Sequence, residues 1–207
     1  MTVAKPLPHD AAKLHVTGAA RYVDDIPTPA NCLHLAFGLS TVARGNITSM
    51  NLKAVRAAEG VIDVLTSDDL PGANDVSPSN HDEPLLADGT VHFVGQPIFL
   101  VVATSHLAAR KAAALGLVKI KELPAILSFD DAIAADSKFE DPIVFAKGDA
   151  TDAIAKADHK ISGQLHIGGQ EHFYLEGQAA LSLPQDNGDV VVHSSTQHPT
   201  EMQHKVA

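Results

Sequence analysis

The longest uninterrupted apolar run in this chain is Ile98-Phe99-Leu100-Val101-Val102-Ala103. A membrane-spanning helix needs about 20 apolar residues, so this run is read as a strand. Gly95-Gln96-Pro97 precedes it as a turn-forming set. Ser105 follows as the N-cap of a helix running to about Leu115, with Gly116 to end it. Leu117–Lys121 reads as the next strand. A similar helix-then-strand pair stands earlier. Asn51 caps a short helix through Glu59, Gly60 ends it, and Val61–Thr66 is the strand. The two pairs share no sequence identity that would make them a repeat.

Around these pairs, Leu33–Ser40 alternates large apolar with small or polar residues, the pattern of a half-buried strand. Val91–Val94 is read as another strand. Residues 67–90 hold Pro71, Gly72, Pro78, Pro84 and Gly89 among many Asp, Asn and Ser, a long loop of the kind that carries function or an interface. The first 30 residues are expected to be irregular, because Pro6, Pro8, Pro27 and Pro29 break helices. Phe129–Ala135 and Asp149–Ala157 are short helical patches around the turn-rich Asp141-Pro142, and a domain boundary is placed in this polar stretch. Residues 159–184 and 189–196 read as strands, with Asn187-Gly188 as the hairpin turn. Pro199 suits the first turn of a helix, Glu201 suits its positive end, and Met202 and Val206 share a face. The chain reaches Ala207 as that helix begins, so the pattern predicts a chain truncated inside its second domain. The apolar strand surface of that incomplete domain is expected to favour self-association.

Composition narrows the function classes. Lys+Arg 15 against Asp+Glu 25 gives a net charge of −10 with no basic block, which disfavours nucleic acid as a partner. Hydrophobic residues at 45% and charged ones at 19% are ordinary for a globular chain. The opening MTVAKPLPHD has no apolar signal region, and a soluble cytoplasmic protein with no membrane partner is expected. Cys32 is the single cysteine. It cannot form an internal disulfide or a Cys-based zinc site, and it is read as a small buried hydrophobe. Phosphate-cradling Gly-rich loops, His-Glu zinc motifs and the nucleophile elbow are absent from the sequence.

Polar chemistry is densest in Leu165-His166-Ile167-Gly168-Gly169-Gln170-Glu171-His172-Phe173-Tyr174-Leu175-Glu176-Gly177-Gln178. A continuous strand would put His166, His172 and Glu176 on one face, as a metal site requires. The same residues also suit a polar strand end with solvated imidazoles. In a further reading, Gly168-Gly169 lets the backbone approach a ligand or another segment closely. Gln170 would then present an amide that both donates and accepts hydrogen bonds without adding charge.

Four segments carry a resemblance. Val16-Thr17-Gly18-Ala19-Ala20-Arg21-Tyr22-Val23-Asp24-Asp25-Ile26-Pro27 resembles the opening of the large, molybdenum-binding part of xanthine dehydrogenases and aldehyde oxidases. Val94-Gly95-Gln96-Pro97-Ile98 with its Ala-rich helix is similar to that family's first domain. Gly169–Glu176 resembles its glutamine-bearing segment, in the form typical of the xanthine dehydrogenase branch. Ser194-Ser195-Thr196-Gln197-His198-Pro199 continues the likeness, which runs from about Lys5 to Ala207.

The resemblance implies an α+β chain: an N-terminal extension over 1–14, an α/β hammerhead domain over 15–125, a linker over 126–148 and the start of a molybdopterin-binding domain over 149–207. It implies an oxidoreductase of purine catabolism, hydroxylating hypoxanthine and xanthine towards urate with oxygen from water. Molybdenum-molybdopterin would do this chemistry, with 2Fe-2S clusters, FAD and NAD on other domains or a partner subunit, in an oligomer. Gln170 matches the glutamine that contacts the molybdenum centre, and Gly169 adjoins it. The general-base glutamate lies in a later Gly-rich motif that this sequence lacks. Glu171 and Glu176 are not its substitutes, so no catalytic residue is assigned. Glu171 and His172 are read as framework around Gln170, and Phe173-Tyr174 as packing between domains. The 207 residues alone are expected to bind no cofactor tightly and to be inactive. The alternatives are an aldehyde oxidase-type substrate range, or a hammerhead that serves as a structural or interaction module.

Overall fold

The computed structural model describes residues 3–207; Met1 and Thr2, at the front of the expected N-terminal extension, lie outside the described residues. The chain divides into two compact units, Met1–Pro124 with Leu175–Ala207, and Ala125–Tyr174.

The first unit opens on α1 (Ala12–Thr17) and a 3-10 turn (Val23–Asp25), where an irregular stretch was expected. Pro8 and Pro27 leave a proline-free window between them. Gly18 closes α1 in the left-handed conformation, φ 71, and sends its N–H to the His15 carbonyl. Then follow β1 (His34–Leu39), β2 (Gly45–Asn51), α2 (Lys53–Arg56), β3 (Val61–Leu65), the short β4 (Thr90–Val91), β5 (Pro97–Ala103), α3 (His106–Ala113) and β6 (Leu117–Glu122). They build two antiparallel three-stranded sheets, ordered β1-β5-β3 and β4-β2-β6.

The apolar run becomes the central strand β5, with β1 on one side and β3 on the other. Ile98, Phe99, Val101 and Ala103 are buried in it, and α3 packs its Ala109 and Ala112 into the same core. Ser105 caps α3 as expected, its hydroxyl accepting the Ala108 N–H at 3.1 Å. Leu52, Val55, Val64, Ala87 and Val91 complete the core.

Four further differences appear in this unit. Residues 45–51 form β2, which no alternating apolar pattern announced; Gly45-Asn46-Ile47-Thr48-Ser49-Met50 is mostly polar and held by its pairing with β6. Asn51 ends that strand, and its side chain accepts the Lys53 N–H at 3.1 Å while α2 stays one turn long. Val91–Val94 shrinks to the two-residue β4, because Gly95 turns the chain at φ 91. Cys32 is half-buried rather than buried.

The long loop 67–90 is organised from within. Asn74 bridges to Leu86 in both directions, accepting its N–H at 3.0 Å and donating to its carbonyl at 2.7 Å. Leu86 and Ala87 are thereby buried, and the loop contributes to the core. Asp75 gathers the rest: it accepts the Ser77 hydroxyl at 2.5 Å, the Ser77 N–H at 2.9 Å and His81 Nδ1–H at 2.5 Å.

The later part of this unit is the hairpin β7 (Ala180–Pro184) and β8 (Val190–Ser194), followed by α6 (Pro199–Val206) with Pro199 in its first turn. Gly188 sits in the turn at φ 89, as Asn187-Gly188 predicts. The second unit holds α4 (Phe129–Ala134), capped by Ser128, and α5 (Ala150–Lys156), capped by Asp149. Both patches were expected; the remainder of that unit is irregular and exposed.

Candidate functional site

Residues 159–179 were read as strand, and they form none. A strand needs a neighbour to receive its N–H and carbonyl groups, and the backbone of 161–175 has no hydrogen-bond partner among the described residues. Gly168 and Gly169 add no side chain to pack, and nothing stands within 4 Å of a β-carbon built on either. Gln170 lies in this exposed segment of the second unit, and its amide makes no hydrogen bond among the described residues. Phe173 takes a left-handed backbone, φ 52, which bends the segment where a bulky residue seldom permits it.

The metal reading of His166, His172 and Glu176 needed one continuous strand, and it does not survive. Among the described residues no group of three or more His, Cys, Asp or Glu could share a metal ion. Phe173 and Tyr174, expected between domains, are 93% and 54% exposed. Glu171 and His172 are exposed.

Glu176 behaves differently from its neighbours. It belongs to the first unit, is partly buried, and accepts the Val23 N–H at 3.1 Å. No local pattern in the sequence announces this bond, since its partners are 153 residues apart. Gln96 was also underrated as a mere turn former. It is buried, its Oε1 accepts the His92 N–H at 2.6 Å, and its carbonyl accepts the Ser40 N–H at 2.9 Å. It therefore ties the turn before β5 to the end of β1. A buried amide inside an otherwise apolar stretch is the signal that could have marked it.

Asp75 stands at the centre of a polar cluster in the first unit. The Ser77 hydroxyl, His81 and the Ser77 N–H, in that order, hold its carboxyl well below the usual carboxylate range. Burial opposes them, and Lys205, at 3.7 Å on α6, adds a smaller pull. An open groove of about 620 Å³ lies elsewhere in this unit, lined by Met50, Leu52, Lys53, Arg56, Ala57, Thr66 and Asp68, and includes none of the predicted site residues.

Comparison with known proteins gives these observations a context. Residues 17–124 match the family described as aldehyde oxidase and xanthine dehydrogenase, a/b hammerhead domain. Residues 135–207 match the molybdopterin cofactor-binding domain. Xanthine dehydrogenase of Drosophila subobscura is 40% identical over 99% of this chain, and that of Emericella nidulans 42% over 97%. The chain spans only 16% and 15% of their respective lengths. The aldehyde oxidoreductase structure from Desulfovibrio gigas superposes with a TM-score of 0.73 and 32% identity, covering 90% of this chain and 23% of that one.

The donor set can be tested against the cofactor these matches imply. Around Gln170 stand one neutral amide, a Gly-Gly backbone with unengaged N–H groups and no clustered thiolate, imidazole or carboxylate. This set suits hydrogen bonding to the oxygen-rich periphery of molybdenum-molybdopterin and does not suit direct coordination. The residues present fit the group as hydrogen-bonding neighbours.

Proposed function

Because the chain belongs to the aldehyde oxidase and xanthine dehydrogenase family through its α/β hammerhead domain, we propose that it works as part of a molybdenum hydroxylase that oxidises hypoxanthine and xanthine towards urate. The observation that carries this reading is the 40% identity to a xanthine dehydrogenase over 99% of the chain. The aldehyde oxidoreductase likeness, at 32% identity, supports the family, and the 40% and 42% identities to xanthine dehydrogenases favour the purine reading.

In this reading the hammerhead spans 15–125, a linker spans 126–148 and the cofactor-binding part spans 149–207. When bound, molybdenum-molybdopterin would supply the two-electron oxidation that places a water-derived oxygen on a substrate carbon. Gln170 would hold the cofactor's edge by hydrogen bonding. As a neutral amide it can donate or accept there without shifting the local charge. Gly169 would keep the backbone beside it open, since nothing stands within 4 Å of a β-carbon there. The hammerhead supports and docks; it carries no catalytic residue. FAD, 2Fe-2S clusters and NAD belong to other domains or a partner subunit, and the assembly is a cytoplasmic oligomer.

The test is molybdenum content together with xanthine-dependent electron transfer. The complete enzyme is expected to show both, and the 207 residues alone neither. Stoichiometric molybdenum with turnover in this chain alone would overturn the inactivity. A complete enzyme that turns over aldehydes and refuses xanthine would overturn the purine assignment.

A further inference from the structure

From Ile133 to Leu175 every residue is exposed, and the first partly buried residue after them is charged: Glu176. An apolar neighbour would be the cheaper choice, because a buried carboxylate needs hydrogen bonds to offset lost water. Phe173 and Leu175, both more than four-fifths exposed, do not take that place. What Glu176 finds is a backbone donor. Val23 opens the 3-10 turn Val23–Asp25, and an N–H at such a start has no partner within its own turn. The preceding N–H, that of Tyr22, goes to the Asp25 carboxylate at 2.9 Å. The turn's two opening donors are thus taken by two carboxylates, one local and one from the far end of the chain. Bonds of this charge-assisted kind are among the stronger ones a backbone amide makes.

We propose that Glu176 is a positioning residue: by accepting the Val23 N–H, it fixes the end of the Gln170-bearing segment to the opening turn of the hammerhead. Gln170 precedes Glu176 by six residues, and Glu176 is the first partly buried residue after the exposed run. The bond links the two longest sequence motifs of the chain, Val16–Pro27 and Gly169–Glu176. The inference rests on Gln170 being the cofactor-facing residue.

The backbone supplies a clean control. Tyr22 stands at φ −82, ψ 167, the extended conformation that a following proline requires. Val23→Pro therefore deletes the donor while the first position of the turn keeps a permitted backbone. Amide exchange and backbone relaxation are measured by NMR on the 15N-labelled chain. Glu176→Leu is expected to speed exchange at Val23 by about tenfold, the loss of one charge-assisted bond. Glu176→Gln, which keeps a carbonyl acceptor, restores most of the protection. Val23→Pro loosens residues 171–175 as Glu176→Leu does, and combining the two adds nothing. Val23 exchange unaffected by Glu176→Leu, or relaxation of 171–175 unaffected by either variant, overturns the proposal. In the complete enzyme Glu176→Leu lowers kcat, and adding it to Gln170→Ala lowers kcat no further. Additive losses would overturn the positioning role. Gln170→Ala leaves Val23 exchange unchanged. Full turnover in Gln170→Ala would defeat the cofactor-facing reading by itself, while the exchange data still decide the Glu176–Val23 bond.

Discussion

Gly38 pairs with Phe99 across β1 and β5, and the Phe99 ring lies over the space that a Gly38 side chain would need. A β-carbon at Gly38 would overlap the ring atoms, and one at Gly116 would strike the same ring. The largest side chain in the buried core is therefore seated between two glycines. Gly38→Ala is expected to destabilise the fold by about 1–3 kcal/mol through overpacking. Chemical denaturation reads the loss. Pairing the change with Phe99→Leu should cost less than the sum of the two single variants, because the smaller side chain vacates the contested space. Strict additivity would mean that the ring is not what Gly38 accommodates.

The buried amide of Gln96 gives the second prediction. Its Oε1 accepts the His92 N–H at 2.6 Å. Gln96→Leu keeps the volume and removes the acceptor, leaving the His92 N–H without its partner at a part-buried position. The expected cost is about 1–3 kcal/mol. Exchange at the His92 amide should accelerate along with it. A variant as stable as the parent would show that water reaches His92.

Which parts of this fold were legible depends on where the ordering forces act. Helices α3, α4 and α5 carry their own start signals in Ser105, Ser128 and Asp149, and each side chain accepts an N–H three residues on. Strands β3 and β5 show their burial in their apolar pattern, whereas β1 alternates with its small residues inward: Gly38 is buried and Ala36 half-buried, while Leu35, Phe37 and Leu39 are exposed. The β7–β8 hairpin declares itself through Asn187-Gly188. By contrast β2 is polar, and it is a strand because β6 pairs with it. Residues 159–179 failed in the opposite direction: apolar residues and β-formers are present, but no neighbouring strand receives them. At the proposed site, Gln170 is singled out by its motif, whereas the Glu176–Val23 bond spans 153 residues and leaves no local trace.

Asp75 sets an acid limit on stability. Ser77 and His81 hold its carboxyl below the ordinary 3.8 in the folded chain, with Lys205 assisting. A carboxyl with a lowered folded value binds a proton more readily when the chain unfolds. Its contribution is therefore complete above the unfolded value, at neutral pH, and is lost as pH falls below 3.8 towards the lowered one. Melting temperature measured from pH 6 down to about pH 2 should drop less steeply in Asp75→Asn than in the parent, across this carboxylate range. The two curves should be furthest apart at neutral pH and converge in acid. Parallel curves would remove Asp75 from the acid transition.

If Gln170 holds the cofactor's edge as proposed, one variant at this position separates stability from function. It is exposed and its side chain contacts nothing in the described structure that a truncation would disturb. Gln170→Ala should leave the melting temperature of the chain within the small range of ordinary surface substitutions, about 0.5 kcal/mol. In the complete enzyme the same change should lower turnover by about 10–100-fold, the usual cost of removing a hydrogen-bonding neighbour of a metal group. Gln170→Glu is the sharper comparison. It keeps nearly the same shape and the acceptor oxygen, replaces the donating NH2 by a second acceptor and adds a negative charge. If the donor matters, Glu at this position should be no better than Ala. If only shape or accepting capacity matters, it should recover most of the turnover. Steady-state kinetics on the three forms, with melting curves for each, decides between a donating amide and a merely space-filling one.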